Sequence, residues 1–165
     1  MNRVRHFEQV PLEAIKNLLK EQNRAETLQR SAEATVAPVK VLLADDSELS
    51  RGAIRRFLLD GHSGIELVGE ACNFAQTIQM SNDLKPHVIV MDLRMPDDDK
   101  ITGRDVKSQL NRGSRVLAIS AWNDEETKDL AESFGAVELL DKMKLSEQLI
   151  PAIMKFAPPR AIAVA

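Results

Sequence analysis

Five side chains carry the chemistry this sequence could perform: the carboxylates Asp45, Asp46 and Asp92, the hydroxyl of Ser120 and the amine of Lys142. Each stands at or just after the end of a short apolar run. VKVLLA (39–44) leads into Asp45-Asp46, HVIVMDL (87–93) carries Asp92, RVLAIS (115–120) ends at Ser120, and AVELL (136–140) precedes Lys142. Three carboxylates brought together repel one another and resist ionisation unless a cation sits among them. Magnesium suits such a cluster, because it prefers carboxylate, carbonyl and water oxygens. An amine and a hydroxyl beside the metal are then suited to bind a phosphoryl group, and a carboxylate can be the nucleophile that takes it. In that transfer the protein's part is mainly placement and charge neutralisation.

Taken singly, each feature has an ordinary structural use. Asp46 or Ser47 could cap a following helix, and Asp92-Leu-Arg-Met-Pro could be a strand stopped by proline. Lys142 alone reads as a surface lysine and Ser120 as a turn residue. Their delivery to successive strand ends is what singles them out.

The elements that must position them begin at Val39. Strands are expected at 39–44, 65–71, 87–93, 115–120 and 136–140. Helices are expected at 50–60, with Ile54, Phe57 and Leu58 on one face, then at 74–84, near 103–111, at 124–135 stopped by Gly135, and at 145–156. The continuous apolar run of the third strand predicts burial on both faces. Alternation of this kind predicts an α/β fold, a parallel sheet with helices on both faces. Ligands in such sheets sit at the carboxyl ends of the strands.

Ahead of this region, Leu12, Ile15, Leu18, Leu19 and Leu28 are spaced for a helix from Pro11 to about Arg30, and SAEATVAP (31–38) reads as a linker. The expected division is a helical extension and linker over 1–37, the main domain over 38–157 and a tail over 158–165. The chain has 165 residues with 22 Lys plus Arg against 25 Asp plus Glu, so it has no polycationic footprint for nucleic acid. The single Cys72 excludes an internal disulfide framework and a multi-Cys zinc site. No apolar run approaches the ~20 residues of a membrane span, and the N-terminus is not a secretory signal. These features predict a soluble cytoplasmic protein with no membrane or direct nucleic-acid contact. His6, His62 and His87 lack metal-ligand spacing, and His87 reads as structural. Met80, Met91 and Met95 suit core packing, and Arg51, Arg55 and Arg56 read as a solvated helix face.

The motifs VLLADDS (41–47), VIVMDLRMP (88–96), LAISA (117–121) and GAVELLDK (135–142) resemble those of the receiver domain of bacterial two-component response regulators. The resemblance covers about three quarters of the chain, and GEA (69–71) is similar to receivers attached to helix-turn-helix transcription factors. It implies a flavodoxin-like, doubly wound five-stranded sheet in the order 2-1-3-4-5. It implies Asp92 as phosphoacceptor, Asp46 as direct magnesium ligand, Asp45 as ligand through water and the backbone carbonyl of Arg94 as a further metal oxygen. Ser120 matches the switch hydroxyl, Lys142 the amine that pairs with the phosphate, and Ala121 the small residue that leaves it room.

The sequence also departs from that family. An aromatic switch residue usually stands three places before the lysine, where this chain has Leu139, and the proline that often follows the lysine is replaced by Met143. The loop DDDKITG (97–103) is longer and more acidic than usual, and Asp97, Asp98 and Asp99 are expected to be solvated. Arg94 and Trp122 occupy the positions that flank the phosphate, and are expected to restrict attacking water.

The expected function is a non-enzymatic signalling switch. It takes a phosphoryl group from a histidine kinase or phosphotransfer protein with Mg2+ bound, and alters binding to a downstream protein. The N-terminal helix or the receiver face offers a route to a homodimer. The competing readings are a magnesium-dependent aspartyl-phosphate phosphohydrolase, whose usual second acid is replaced here by Arg94, and a receiver fragment of a DNA-binding regulator. The few residues after Phe156 are too short for an output domain, which moves the expected output to the receiver's own surface.

Overall fold

Strand-forming runs in this chain are β-branched and apolar, and the folded structure buries them in the middle of a sheet. The computed structural model describes residues 12–33, 37–60, 64–96 and 101–158. Residues 37–159 form one unit. Its strands are β1 (Val39–Ala44), β2 (Ile65–Ala71), β3 (Val88–Asp92), β4 (Arg115–Ser120) and β5 (Ala136–Asp141). All pairings are parallel and the order is β2-β1-β3-β4-β5, the doubly wound arrangement expected from the sequence. Every residue of β3 is buried, whereas the edge strands β2 and β5 are half exposed.

The helices are α1 (Leu12–Glu33), which belongs to a separate unit, and then α2 (Glu48–Leu59), α3 (Phe74–Leu84), α4 (Gly103–Gln109), α5 (Glu125–Ser133) and α6 (Leu145–Met154). Alternate strand residues face opposite layers. Val41, Leu43, Val90 and Ile119 pack with Ile54 and Leu58 of α2 and Leu149 and Ile153 of α6. Leu42, Ile89, Met91 and Ala118 pack with Phe74 of α3, Val106 of α4 and Phe134, which caps the end of α5. Each fully buried Leu or Ile contributes roughly 1.5–3 kcal/mol, so these two layers dominate the stability of the unit.

Local chemistry sets the helix ends. Ser47 caps α2, its hydroxyl accepting the Ser50 N–H at 3.3 Å, which starts the helix two residues earlier than its apolar pattern suggests. Thr102 and Asp105 form a reciprocal capping box on α4. Gly135 ends α5 with φ 72°, a left-handed conformation that glycine adopts without a Cβ penalty. Helix α1 runs on to Glu33, beyond the expected end near Arg30, and takes in the first residues of the expected linker. Residues 34–36 of that linker, Pro11, His6, His62, the acidic residues Asp97, Asp98 and Asp99 and the tail from 159 lie outside the described residues.

Two sequence oddities find structural reasons. Gly69 sits where β2 slips register against β1, and a Cβ there would come within 2.9 Å of the Leu84 side chain. His87 accepts the Lys40 N–H on Nδ1 at 2.9 Å, while its own N–H and C=O bond Lys40 and Arg115. Its imidazole therefore extends the β1–β3 ladder by one bond, the structural use expected of it.

Candidate functional site

Parallel register brings the strand ends to one level. Ala44 pairs with Met91, Asp92 with Ile119 and Ser120 with Asp141, so the residues just beyond β1 and β5 flank the end of β3. Asp45, Asp46 and Asp92 accordingly meet, each offering a carboxylate oxygen within 4.8 Å of the other two. Asp45 is fully buried, Asp92 nearly so, and Asp46 is exposed.

Lys142 reaches into this cluster from the far edge. Its Nζ donates to Asp45 Oδ2 at 2.8 Å and to Asp92 Oδ2 at 2.6 Å. Partial burial works against its charge, but the hydrogen bonds and charges of Asp45 and Asp92 outweigh that and hold its pKa above the ordinary lysine value. The lysine is aimed by the turn that carries it. Asp141 caps the short Lys142–Lys144 3-10 turn, its carboxylate accepting the Met143 N–H at 2.8 Å.

Asp45 is held on every side. Its Oδ1 accepts the Ser47 N–H at 2.8 Å and its Oδ2 accepts the Ser50 hydroxyl at 2.7 Å, alongside Lys142. Arg51 Nη1 donates to the Asp45 carbonyl at 2.7 Å and to the Asp46 carbonyl at 3.2 Å. Glu70, at the end of β2, lies 3.8 Å from Arg51 Nε and 2.8 Å from Arg55 Nη1. The expectation of a solvated face holds for the exposed Arg55 and Arg56, Arg55 pairing with Glu70 across that surface, and is corrected for Arg51, which is half-buried and braces the Asp45-Asp46 turn. Ser50 was also not anticipated. Both Ser50 and Arg51 stand in the first turn of α2, where the apolar pattern of the helix gives no signal for them.

On the opposite side, Asp92 Oδ1 accepts the backbone N–H of Arg94 at 2.9 Å, which fixes the loop that carries the Arg94 carbonyl. Ser120 is buried and its Oγ accepts the Trp122 N–H at 3.1 Å. Ala121 and the Arg94 side chain are exposed, and Leu139 packs against the α3–α4–α5 layer. All the expected strand-end residues therefore converge on one edge of the sheet. Three carboxylates against one ammonium leave an excess of negative charge and hard oxygen donors, which fits a divalent cation such as magnesium. A carboxylate reachable from solvent beside that position is a competent oxygen nucleophile.

Residues 41–154 match the family model for the response regulator receiver domain. The chain is 28% identical over 116 residues to the chemotaxis protein CheY of Bacillus subtilis, covering 70% of this chain and 95% of that one. It is 45% identical over 99 residues to a protein-glutamate methylesterase/protein-glutamine glutaminase of Alkalilimnicola ehrlichii, covering 59% of this chain and 25% of that protein. Against such longer relatives the chain spans only a part of their length. The response regulator domain of Thermotoga maritima CheB shares the fold, with a TM-score of 0.60 and 22% identity over 72% of this chain and 96% of that domain. With the acidic strand ends, the sheet order and the matched span in agreement, the chain belongs to the response regulator receiver family of two-component signalling.

Proposed function

We propose that this receiver accepts a phosphoryl group on Asp92 from a histidine kinase or phosphotransfer protein, and that the modification switches its binding to a downstream protein. The observation that carries the reading is the contact of Lys142 with both Asp45 and Asp92 inside the acidic cluster. An Asp92 carboxylate oxygen forms the new bond to phosphorus as the bond from phosphorus to the donor's imidazole nitrogen breaks, leaving an acyl phosphate on the receiver. Lys142 then turns from Asp92 Oδ2 to a phosphoryl oxygen while keeping its bond to Asp45. Ser120 donates its hydroxyl to a second phosphoryl oxygen, and the small side chain of Ala121 leaves that group room.

The residues that would hold magnesium are Asp46, Asp92 and the Arg94 carbonyl directly, with Asp45 acting through water. The oxygens of Asp45 are already engaged by Ser47, Ser50 and Lys142, which favours the indirect contact. When bound, the metal neutralises charge on the phosphoryl oxygens. The role is signalling rather than turnover. The proposed setting is the cytoplasm, and no described helix is long and apolar enough to cross a membrane.

The test is incubation of the full chain with a small-molecule phosphodonor and magnesium, followed by intact mass and solution sizing. One phosphoryl group per chain, lost in Asp92→Asn, supports the reading. Steady hydrolysis of phosphate esters supports the phosphohydrolase instead. A change in size on phosphorylation supports a homodimer through the receiver face, and a dimer that disappears when residues 1–37 are removed assigns it to α1.

A further inference from the structure

Glu70 faces the α2 side of the sheet because β2 takes up an extra residue ahead of it. Leu67 pairs with Val41 and Glu70 with Leu43, so the register slips by one between the two pairs. Strand residues three apart ordinarily point to opposite faces, and a slip of this kind re-aims the side chain that follows it. Glu70 accordingly meets two cations of α2. Its Oε1 and Oε2 accept from Arg55 Nη1 at 3.1 and 2.8 Å, and Oε1 lies 3.8 Å from Arg51 Nε.

Arg51 holds the turn that carries the acidic pair, and its charge stands close to what a metal must reach. Its Nη1 spans the Asp45 and Asp46 carbonyls, with only 17% of its side chain exposed. The Asp46 carboxylate is exposed and has no hydrogen-bond or ion-pair partner among the described residues. A guanidinium is a planar fork of five N–H donors that matches a carboxylate. Turned from the carbonyl of Asp46 to the carboxylate of the same residue, Arg51 would cover an oxygen that the metal needs. Glu70 works against that turn. It draws the guanidinium toward β2 and offsets its charge, while Arg55 holds Glu70 in place.

We propose that Glu70 is a positioning residue for the metal site: its charge keeps the Arg51 guanidinium on the Asp45 and Asp46 carbonyls and leaves the Asp46 carboxylate open to a divalent cation. This rests on the magnesium reading of the acidic cluster. Affinity for the ion is then set partly from an edge strand, by a residue that does not ligate it.

Calorimetric titration of the full chain with magnesium is the test. Glu70→Gln keeps the size of the side chain at a part-exposed position and removes only its charge. It should weaken magnesium binding by about tenfold, the lower end of the ~10–100-fold that losing a partner behind a metal ligand costs. Glu70→Asp, which restores the charge, should recover most of that loss. Arg51→Met removes the competing cation, so adding Glu70→Gln to it should change affinity by no more than about twofold. Phosphate uptake from a small-molecule donor, followed by intact mass, should need about tenfold more magnesium in Glu70→Gln for half its maximal rate, and reach the wild-type rate at saturation. Absence of magnesium binding by the wild type overturns the metal reading and this inference with it. Wild-type binding with Glu70→Gln unchanged, no recovery in Glu70→Asp, or an equal loss in the Arg51→Met background overturns this inference alone. Where Arg51→Met does not fold or binds no magnesium, the Glu70→Gln and Glu70→Asp arms decide.

Discussion

Lys142 and Asp45, 97 residues apart in sequence, are joined by a 2.8 Å ion pair in which the carboxylate is fully buried. The same ammonium neutralises Asp92. Removing one partner of a buried pair leaves an uncompensated charge and costs about 3–5 kcal/mol. Lys142→Met should therefore destabilise the metal-free protein by about that amount, and magnesium should restore part of the loss by supplying the missing positive charge. Urea unfolding with and without magnesium measures both effects. A loss that is the same in either buffer would show that the ammonium and the metal do not share this site.

The pH dependence of that pair follows from its sign. The folded pKa of Lys142 is raised above its ordinary value of 10.5, against the opposing effect of burial, by hydrogen bonds and charges from Asp45 and Asp92. A group raised in the folded state contributes its full stabilisation below its unfolded pKa and loses it as pH climbs through the folded one. The stability difference between wild type and Lys142→Met should thus stay level through the neutral range and shrink only above pH 10.5. Parallel denaturation curves of the two proteins across alkaline pH make the comparison.

Asp46 is the exposed carboxylate in a cluster that a single ammonium only partly neutralises. At such separations and an effective surface dielectric, like charges cost on the order of 1 kcal/mol or more. Asp46→Asn should raise the melting temperature in chelator, abolish the stabilisation that magnesium gives the wild type, and block phosphorylation by a small-molecule donor. Calorimetry with and without magnesium, alongside intact mass, reads all three. A melting temperature in chelator lowered by the substitution would contradict the repulsion argument.

How much of this was legible in the sequence differs between main chain and side chains. The boundaries of β1, β2, α3 and β4 follow directly from apolar period and length, and the strand ends fix where Asp45, Asp92, Ser120 and Lys142 must converge. Ser50 and Arg51 were not legible, because their contacts depend on the rotational phase of α2, which the Ser47 cap sets and which apolar spacing alone leaves loose. Arg51 in particular bonds backbone carbonyls, which carry no residue-type signal. The brace between Glu70 and α2 also depends on the slipped register that Gly69 permits.

Ser50 gives that missed layer its own test. Its hydroxyl donates to a buried carboxylate at 2.7 Å, and hydrogen bonds to charged groups are worth about 1.5–3 kcal/mol. Ser50→Ala should lower stability by that amount in chelator, and Ser50→Thr, which keeps the hydroxyl, should recover most of it. Chemical denaturation of the three proteins decides the matter. Equal losses in the two variants would place the effect in helix packing rather than in the bond to Asp45.

The proposed screening of a phosphoryl group by Arg94 and Trp122 has a kinetic test. The Arg94 backbone is fixed beside the acceptor, since its N–H bonds Asp92 Oδ1, and its side chain is exposed. Trp122 hangs from Ser120 by its N–H. Both side chains are exposed, at positions that would flank a phosphoryl group on Asp92. Arg94→Ala should then speed loss of phosphate by about tenfold, which corresponds to ~1.4 kcal/mol off the barrier. Trp122→Ala should speed it as well. A time course of the phosphorylated form by intact mass, after removal of the donor, compares the two. Rates unchanged from wild type in both variants would show that neither side chain screens the phosphate.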